Sequence, residues 1–388
     1  YLNEKGGYMI NRFLGYAYSV NSFKGKMNLP VRETYYDEKG NPCQTKKGYY
    51  AVEYVYDTGA RLAGMRYLDE KGNRTACREG YSRVDWVTST KDAILSQTYY
   101  DENDRKMIVP GLGYCTAEYT YNKYNHRKSA RYLDTKDKET LLPEGYSRVQ
   151  YNWSYEENKN GLMTDETYYK PNGTVAVTLD GYSAIAYTYN ANFEKVAETY
   201  LDANMKPVTT VDGYAMIQFT NFNNKVASMA YYGTTGEPVL CADGYHSVAY
   251  RYNEHDMKIR EAYTDIDGRP VYIAKGYATV ERAYDQDDQL TEEIFYDING
   301  MPIKGKGGYA YIKKEYDDRG NVTLLTYYDQ TGAICLLPKG YAQIAMRYDA
   351  ENRVVETRYT DTAGKLVKTQ DGYAVKKSVY DAFGNITE

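Results

Sequence analysis

The chain has 388 residues, a net charge of −5 and 49 Tyr against 7 Phe and 2 Trp. Lys and Arg are interspersed with Asp and Glu, so no basic stripe exists to neutralise phosphates, and nucleic acid is excluded as an expected ligand. No run approaches the ~18 apolar residues of a membrane helix, so no membrane insertion is expected.

In chain order, the dipeptide Gly-Tyr recurs with its tyrosine at Tyr16, Tyr49, Tyr81, Tyr114, Tyr146, Tyr182, Tyr214, Tyr245, Tyr277, Tyr309, Tyr341 and Tyr373. The steps are 31 to 33 residues, with a single step of 36 between Tyr146 and Tyr182. A period this constant marks one structural unit copied many times. A second aromatic marker runs in phase, at Tyr35, Tyr67, Tyr99, Tyr132, Tyr168, Tyr200, Tyr231, Tyr263, Phe295, Tyr327 and Tyr359. The opening YLNEKG matches YLDEKG from Tyr67, so the chain is expected to begin inside one unit of a longer protein. We expect residues 1–388 to form a single tandem-repeat array rather than separate globular domains.

The unit from Gly308 illustrates the local grammar. Tyr309–Tyr316 is a short aromatic stretch, and Asp317, Asp318, Arg319, Gly320 and Asn321 carry hairpin-turn chemistry. Val322–Tyr328 is rich in strand formers, a second turn follows at Asp329–Gly332, and a third, shorter strand is predicted through Ile334 and Leu336. Proline after the second turn (Pro42, Pro207, Pro238, Pro270, Pro302) lacks an amide donor and should sit where no ladder partner needs one. No helical period is sustained. The fold class is therefore all-β: a tandem array of about 32-residue β-hairpin repeats in an elongated, β-solenoid-like or superhelical body.

The run TYYDEKGNPCQTKKGYY from Thr34 resembles the aromatic repeats of choline-binding and glucan-binding proteins, and EYDDRGNVTLLTYYD from Glu315 resembles the YD repeats of Rhs-type proteins. The first resemblance implies a bacterial cell-wall-binding module, secreted or at the cell surface. The second implies a spiralling sheet that can form a shell around another domain.

Cys43, Cys77, Cys115, Cys241 and Cys335 are scattered one to a unit and are expected to be free thiols. His126, His246 and His255 lack ligand spacing, so no metal or other cofactor is expected. Asp37, Asp69, Asp101, Asp134, Asp202, Asp265, Asp297, Asp329 and Asp361 recur as turn initiators rather than as a catalytic pair, and an enzyme is not expected. Two features break the pattern. The unit from Tyr146 is four residues longer and carries Trp153 and Tyr155, and Trp86 replaces a tyrosine in an earlier unit. These three residues are the candidate ligand-binding aromatics.

The leading expectation is a non-catalytic repeat region whose partner is a glycan or cell-wall polymer bound in aromatic grooves between units. The alternative is a structural array that spaces or encloses another domain of the same parent protein. Aromatics buried between adjacent units favour the second reading, and exposed aromatic rows favour the first.

Overall fold

The computed structural model describes residues 7–11, 14–24, 28–155, 161–349, 352–380 and 386–387. It is all-β: 23 antiparallel strands arranged as consecutive hairpins, with no helix among the described residues. The chain divides into two compact units, Tyr1–Ala186 with Leu201–Lys206, and Tyr187–Tyr200 with Pro207–Glu388.

In the first unit a representative hairpin joins Ala51–Tyr56 to Leu62–Leu68, pairing Ala51 with Leu68, Val52 with Tyr67 and Tyr56 with Leu62. Its second strand then pairs with the first strand of the next hairpin over Gly64–Asp85, Met65–Val84 and Arg66–Arg83 only. The second unit repeats this. Tyr311–Tyr316 pairs with Val322–Tyr328 over six positions, and Val322–Tyr328 meets the following strand, Gln343–Tyr348, over three. Each hairpin is thus long within itself and short against its neighbour, and side chains, together with backbone bonds outside the ladders such as the Arg78 amide on the Lys47 carbonyl at 2.7 Å, supply the rest of the cohesion between hairpins.

The turns behave as their sequence dictates. Each of the nine marker aspartates caps its own loop; Asp297 Oδ1, for example, accepts the Asn299 and Met301 amides at 2.8 Å each. Those backbone donors hold the carboxyls of Asp202 and Asp297 below the usual carboxylate range.

The predicted third strand is a correction. Ile334 makes only an isolated bridge to Tyr328, and the segment turns immediately so that the Leu337 amide donates to the Tyr341 carbonyl at 2.8 Å. The proline position follows from this geometry. At Pro42 the bridge is made by the Asp37 amide on the Asn41 carbonyl and the Cys43 amide on the Tyr35 carbonyl, so the missing donor of proline is never called upon.

The core is thin and lies where this third segment folds onto one face of the sheet. In the first unit it gathers Tyr35, Val52, Tyr67 and Cys77. In the second it gathers Val248, Tyr263, Ile273, Tyr277, Val280 and Phe295. All five cysteines are free.

Candidate functional site: an aromatic ladder between hairpins

The two aromatic markers of the sequence meet in space. Within each unit a Gly-Tyr tyrosine such as Tyr49 or Tyr277 sits between the second-marker aromatic that precedes it and the one that follows. In the first unit the rings run Tyr16, Tyr35, Tyr49, Tyr67, Tyr81, Tyr99, Tyr114, Tyr132, Tyr146, Tyr168 and Tyr182, with successive centroids 4.5 to 6.2 Å apart. In the second unit a like series runs from Tyr200 to Tyr373 at 4.4 to 6.2 Å, with Phe295 as one rung. Each such pair contributes about 0.5–1.5 kcal/mol beyond the area it buries.

Glycine and the small residue after the tyrosine make this approach possible. The glycine of each pair has positive φ, +92° at Gly48 and +88° at Gly276, a region that costs a residue with a Cβ. The following residue, Ala17, Ser82, Cys115, Ser147, Ala215 or Ala278, is fully buried. It links two hairpins: the Ser82 amide donates to the Tyr100 carbonyl at 2.9 Å, and its carbonyl accepts from the Tyr67 amide at 2.9 Å.

Several ladder hydroxyls find polar partners within the protein, some of them shared with a neighbouring tyrosine outside the ladder. Tyr35 and Tyr54 both donate to Glu33 Oε2, at 3.0 and 2.6 Å. Tyr263 donates to Glu261 at 2.6 Å, and Arg282 binds Glu261 and Glu293 at 2.7 and 2.9 Å. Burial alone would raise the Glu261 carboxyl, but the hydrogen bonds from Tyr263 and Arg282 hold it low. Burial pushes the phenols of Tyr49, Tyr81, Tyr146, Tyr214 and Tyr277 up to about 12.

A second device, a staple not anticipated from the sequence, ties many of the hairpins to the one before. In those hairpins the tyrosine seven residues after the Gly-Tyr tyrosine reaches back to a backbone carbonyl. Tyr56 donates to Pro30 O at 2.8 Å, Tyr121 to Ile94 O at 2.8 Å, Tyr252 to Val226 O at 2.9 Å, Tyr316 to Leu290 O at 2.7 Å and Tyr348 to Val322 O at 2.8 Å. The recurrence of tyrosine at that offset was the available signal.

The three candidate aromatics fall at different places relative to these devices. Trp86 stands where neighbouring units have Tyr54, Tyr119 and Tyr151; it packs against Val84, Tyr99 and Val109, and its indole N–H donates to Gln97 Oε1 at 3.0 Å. Trp153 holds the staple position, half-buried, and donates to Arg127 O at 2.8 Å. Tyr155 is exposed at a hairpin tip, with Tyr124 and His126 of the preceding hairpin against it. The structure brings Trp153 and Tyr155 together and leaves Trp86 apart. Among the described residues no group of His, Cys, Asp and Glu is arranged to hold a metal ion.

No family model matches the sequence, and no curated protein matches it. Among solved structures the chain is similar to the crystal structure of TcdB2-TccC3-TEV, at 12% identity and a TM-score of 0.43, over 95% of this chain and 19% of that one. It is similar to the Photorhabdus luminescens Tc holotoxin pore at 12% identity and a TM-score of 0.26, over 93% of this chain and 23% of that one. It is also similar to a porin-like protein from Bacteroides uniformis at 14% identity and a TM-score of 0.19, over 71% of this chain and 80% of that one. The chain spans no more than 23% of the first two structures. At these scores the likenesses carry no conclusion about function.

Proposed function

We propose that this chain is a structural array, a scaffold segment that spaces or encloses another domain of the same parent protein. One observation carries the reading: the repeated tyrosines contact one another between hairpins instead of lining open grooves. Tyr35, Tyr67, Tyr99, Tyr231, Tyr263 and Tyr327 are all buried. Rings engaged this way join hairpins whose ladders share only three positions, and the buried rungs are closed to a ligand. A secreted or surface setting in a bacterium belongs to the same proposal and rests on the sequence resemblance alone.

The test pairs stability with binding. The intact chain is exposed to cell-wall preparations and immobilised glycans alongside Tyr277→Phe, which keeps the stacked ring and loses the hydroxyl, and Tyr277→Ala, which loses both. The scaffold reading expects the alanine variant to melt well below the parent, and any binding to be equal in the parent and the phenylalanine variant. Strong wall binding by the parent that Tyr277→Phe abolishes without loss of stability would return the ladder to a ligand-binding role.

A further inference from the structure

The ladder hydroxyls differ in what receives their proton. Four second-marker tyrosines have a glutamate two residues before them, on the same face of the strand, and donate to it. Tyr35 bonds Glu33, Tyr168 bonds Glu166, Tyr200 bonds Glu198 and Tyr263 bonds Glu261, at 2.5 to 3.3 Å. Other rungs bond each other, as the Tyr231 and Tyr245 hydroxyls do at 3.3 Å. At Phe295 the glutamate stands at the same offset, as Glu293, but the ring has no hydroxyl. Ring contacts join the four paired tyrosines to the rest of the ladder. In the first unit Tyr35 lies 5.8 Å from Tyr49, and Tyr168 lies 5.8 Å from Tyr182. In the second, Tyr214, Tyr231, Tyr245 and Tyr263 follow one another at 4.6, 5.5 and 4.8 Å.

A buried phenol gives up an electron readily only where its proton has somewhere to go, because a positive charge left on the ring is costly away from water. The oxidised phenol is a far stronger acid than a carboxylic acid, so a carboxylate within hydrogen-bond reach takes the proton even when its own pKa is held low. At Tyr263 the surroundings tolerate that transfer. Glu261 Oε1 binds Arg282 at 2.7 Å, with the Lys258 ammonium further off at 3.8 Å. When Glu261 becomes neutral, Arg282 keeps Glu293 at 2.9 Å, so its charge stays paired. Rings in van der Waals contact exchange electrons by tunnelling. An oxidising equivalent therefore reaches a buried rung from its neighbours with no bound ligand and no opening of the ladder.

We propose that Tyr35, Tyr168, Tyr200 and Tyr263 are redox-active tyrosines, each with its glutamate as proton acceptor and the neighbouring rungs as the route by which electrons leave. The co-reactant is an outer-sphere one-electron oxidant, such as a high-valent metal complex. It takes one electron from the ladder, the paired phenol passes its proton to the glutamate oxygen, and a neutral phenoxyl radical beside a neutral carboxyl remains. A one-electron reductant reverses both transfers. This activity goes beyond the scaffold role and does not depend on it, since the rings need only touch.

The intact protein is flashed with ruthenium tris-bipyridine and a pentaamminecobalt(III) quencher, and tyrosyl radical is followed by transient absorption and, after freezing, by electron paramagnetic resonance. The parent should form a radical that outlives that of N-acetyltyrosinamide about tenfold or more. Its yield should be level between about pH 6 and about pH 9, where carboxylates are ionised and phenols are not, because the proton stays within the pair. Replacing Glu33, Glu166, Glu198 and Glu261 together by Gln should shorten the lifetime about tenfold or more. Phe at Tyr35, Tyr168, Tyr200 and Tyr263 together should remove the long-lived radical, whereas Phe at Tyr49, Tyr182, Tyr214 and Tyr277 should retain it. If the parent radical decays as fast as that of N-acetyltyrosinamide, if its yield climbs steeply with pH, or if the four-glutamine variant matches the parent, the assignment fails. The first two readings are made on the unaltered protein, so a variant that misfolds does not protect the proposal.

Discussion

Tyr277 shows what one ring contributes. It is 6% exposed and stacks on Phe295 with centroids 4.4 Å apart and planes 5° from parallel. Tyr277→Ala removes both the burial and the stack and should cost about 3 kcal/mol or more, as other large aromatic truncations do. Tyr277→Phe keeps the stack and should stay within about 1 kcal/mol of the parent; equilibrium denaturation of the two variants checks both values. The same burial makes stability depend on alkaline pH. A phenol raised from 10.0 in the unfolded chain to about 12 in the folded one, as at Tyr49, Tyr81, Tyr146, Tyr214 and Tyr277, holds its proton longer when folded. The unfolded state ionises first, so this contribution is complete below pH 10 and is lost as the pH rises through 10 to 12. Denaturation midpoints should fall across that window while tyrosinate absorbance appears in step with unfolding. A protein that ionises nearly all of its tyrosines near pH 10 and stays folded would contradict it.

At the scale of the hairpin, the recurring devices can be removed and added. Tyr316→Phe deletes one staple, the 2.7 Å bond to Leu290 O, and should cost about 1 kcal/mol in a melting or denaturant experiment. Thr88 occupies the staple position with a side chain too short to reach the preceding hairpin, and Arg61 spans that junction through Ser89 O instead. Thr88→Tyr should therefore raise stability by a comparable amount. Gly276→Ala forces a Cβ into φ of +88° and should cost about 1–2 kcal/mol. Turns and strands of the hairpins were legible from residues such as Asp317, Gly320 and Val322, because their signals are local. The third strand was not, since Ile334 and Leu336 alternate like a strand while the chain there turns back after one bridge. At the tip cluster, Trp153 and Tyr155 stood out by interrupting the repeat. Tyr124 and His126 did not, because they come from the preceding hairpin and only the pairing of strands sets them beside Tyr155.

At the scale of the whole molecule, the repeat itself was the most legible property, since a period near 32 residues survives wide variation in the residues between markers. That Gly-Tyr and the second marker form one ladder was beyond a sequence reading, as the period fixes their spacing along the chain but not which face each ring takes. If neighbouring hairpins carry the cohesion, a variant lacking residues 277–308 joins Gly276 to Tyr309, restores a Gly-Tyr junction and should keep its β circular dichroism and cooperative melting. The central claim, that the repeated tyrosines are engaged between hairpins and not offered to a ligand, is tested most directly by nitrating the native protein with tetranitromethane and mapping the products by mass spectrometry. Tyr35, Tyr67, Tyr99 and Tyr263 should remain unmodified while Tyr124 and Tyr272, the latter 41% exposed, react early. Nitration of the ladder tyrosines as fast as Tyr272, in protein still folded, would contradict the account.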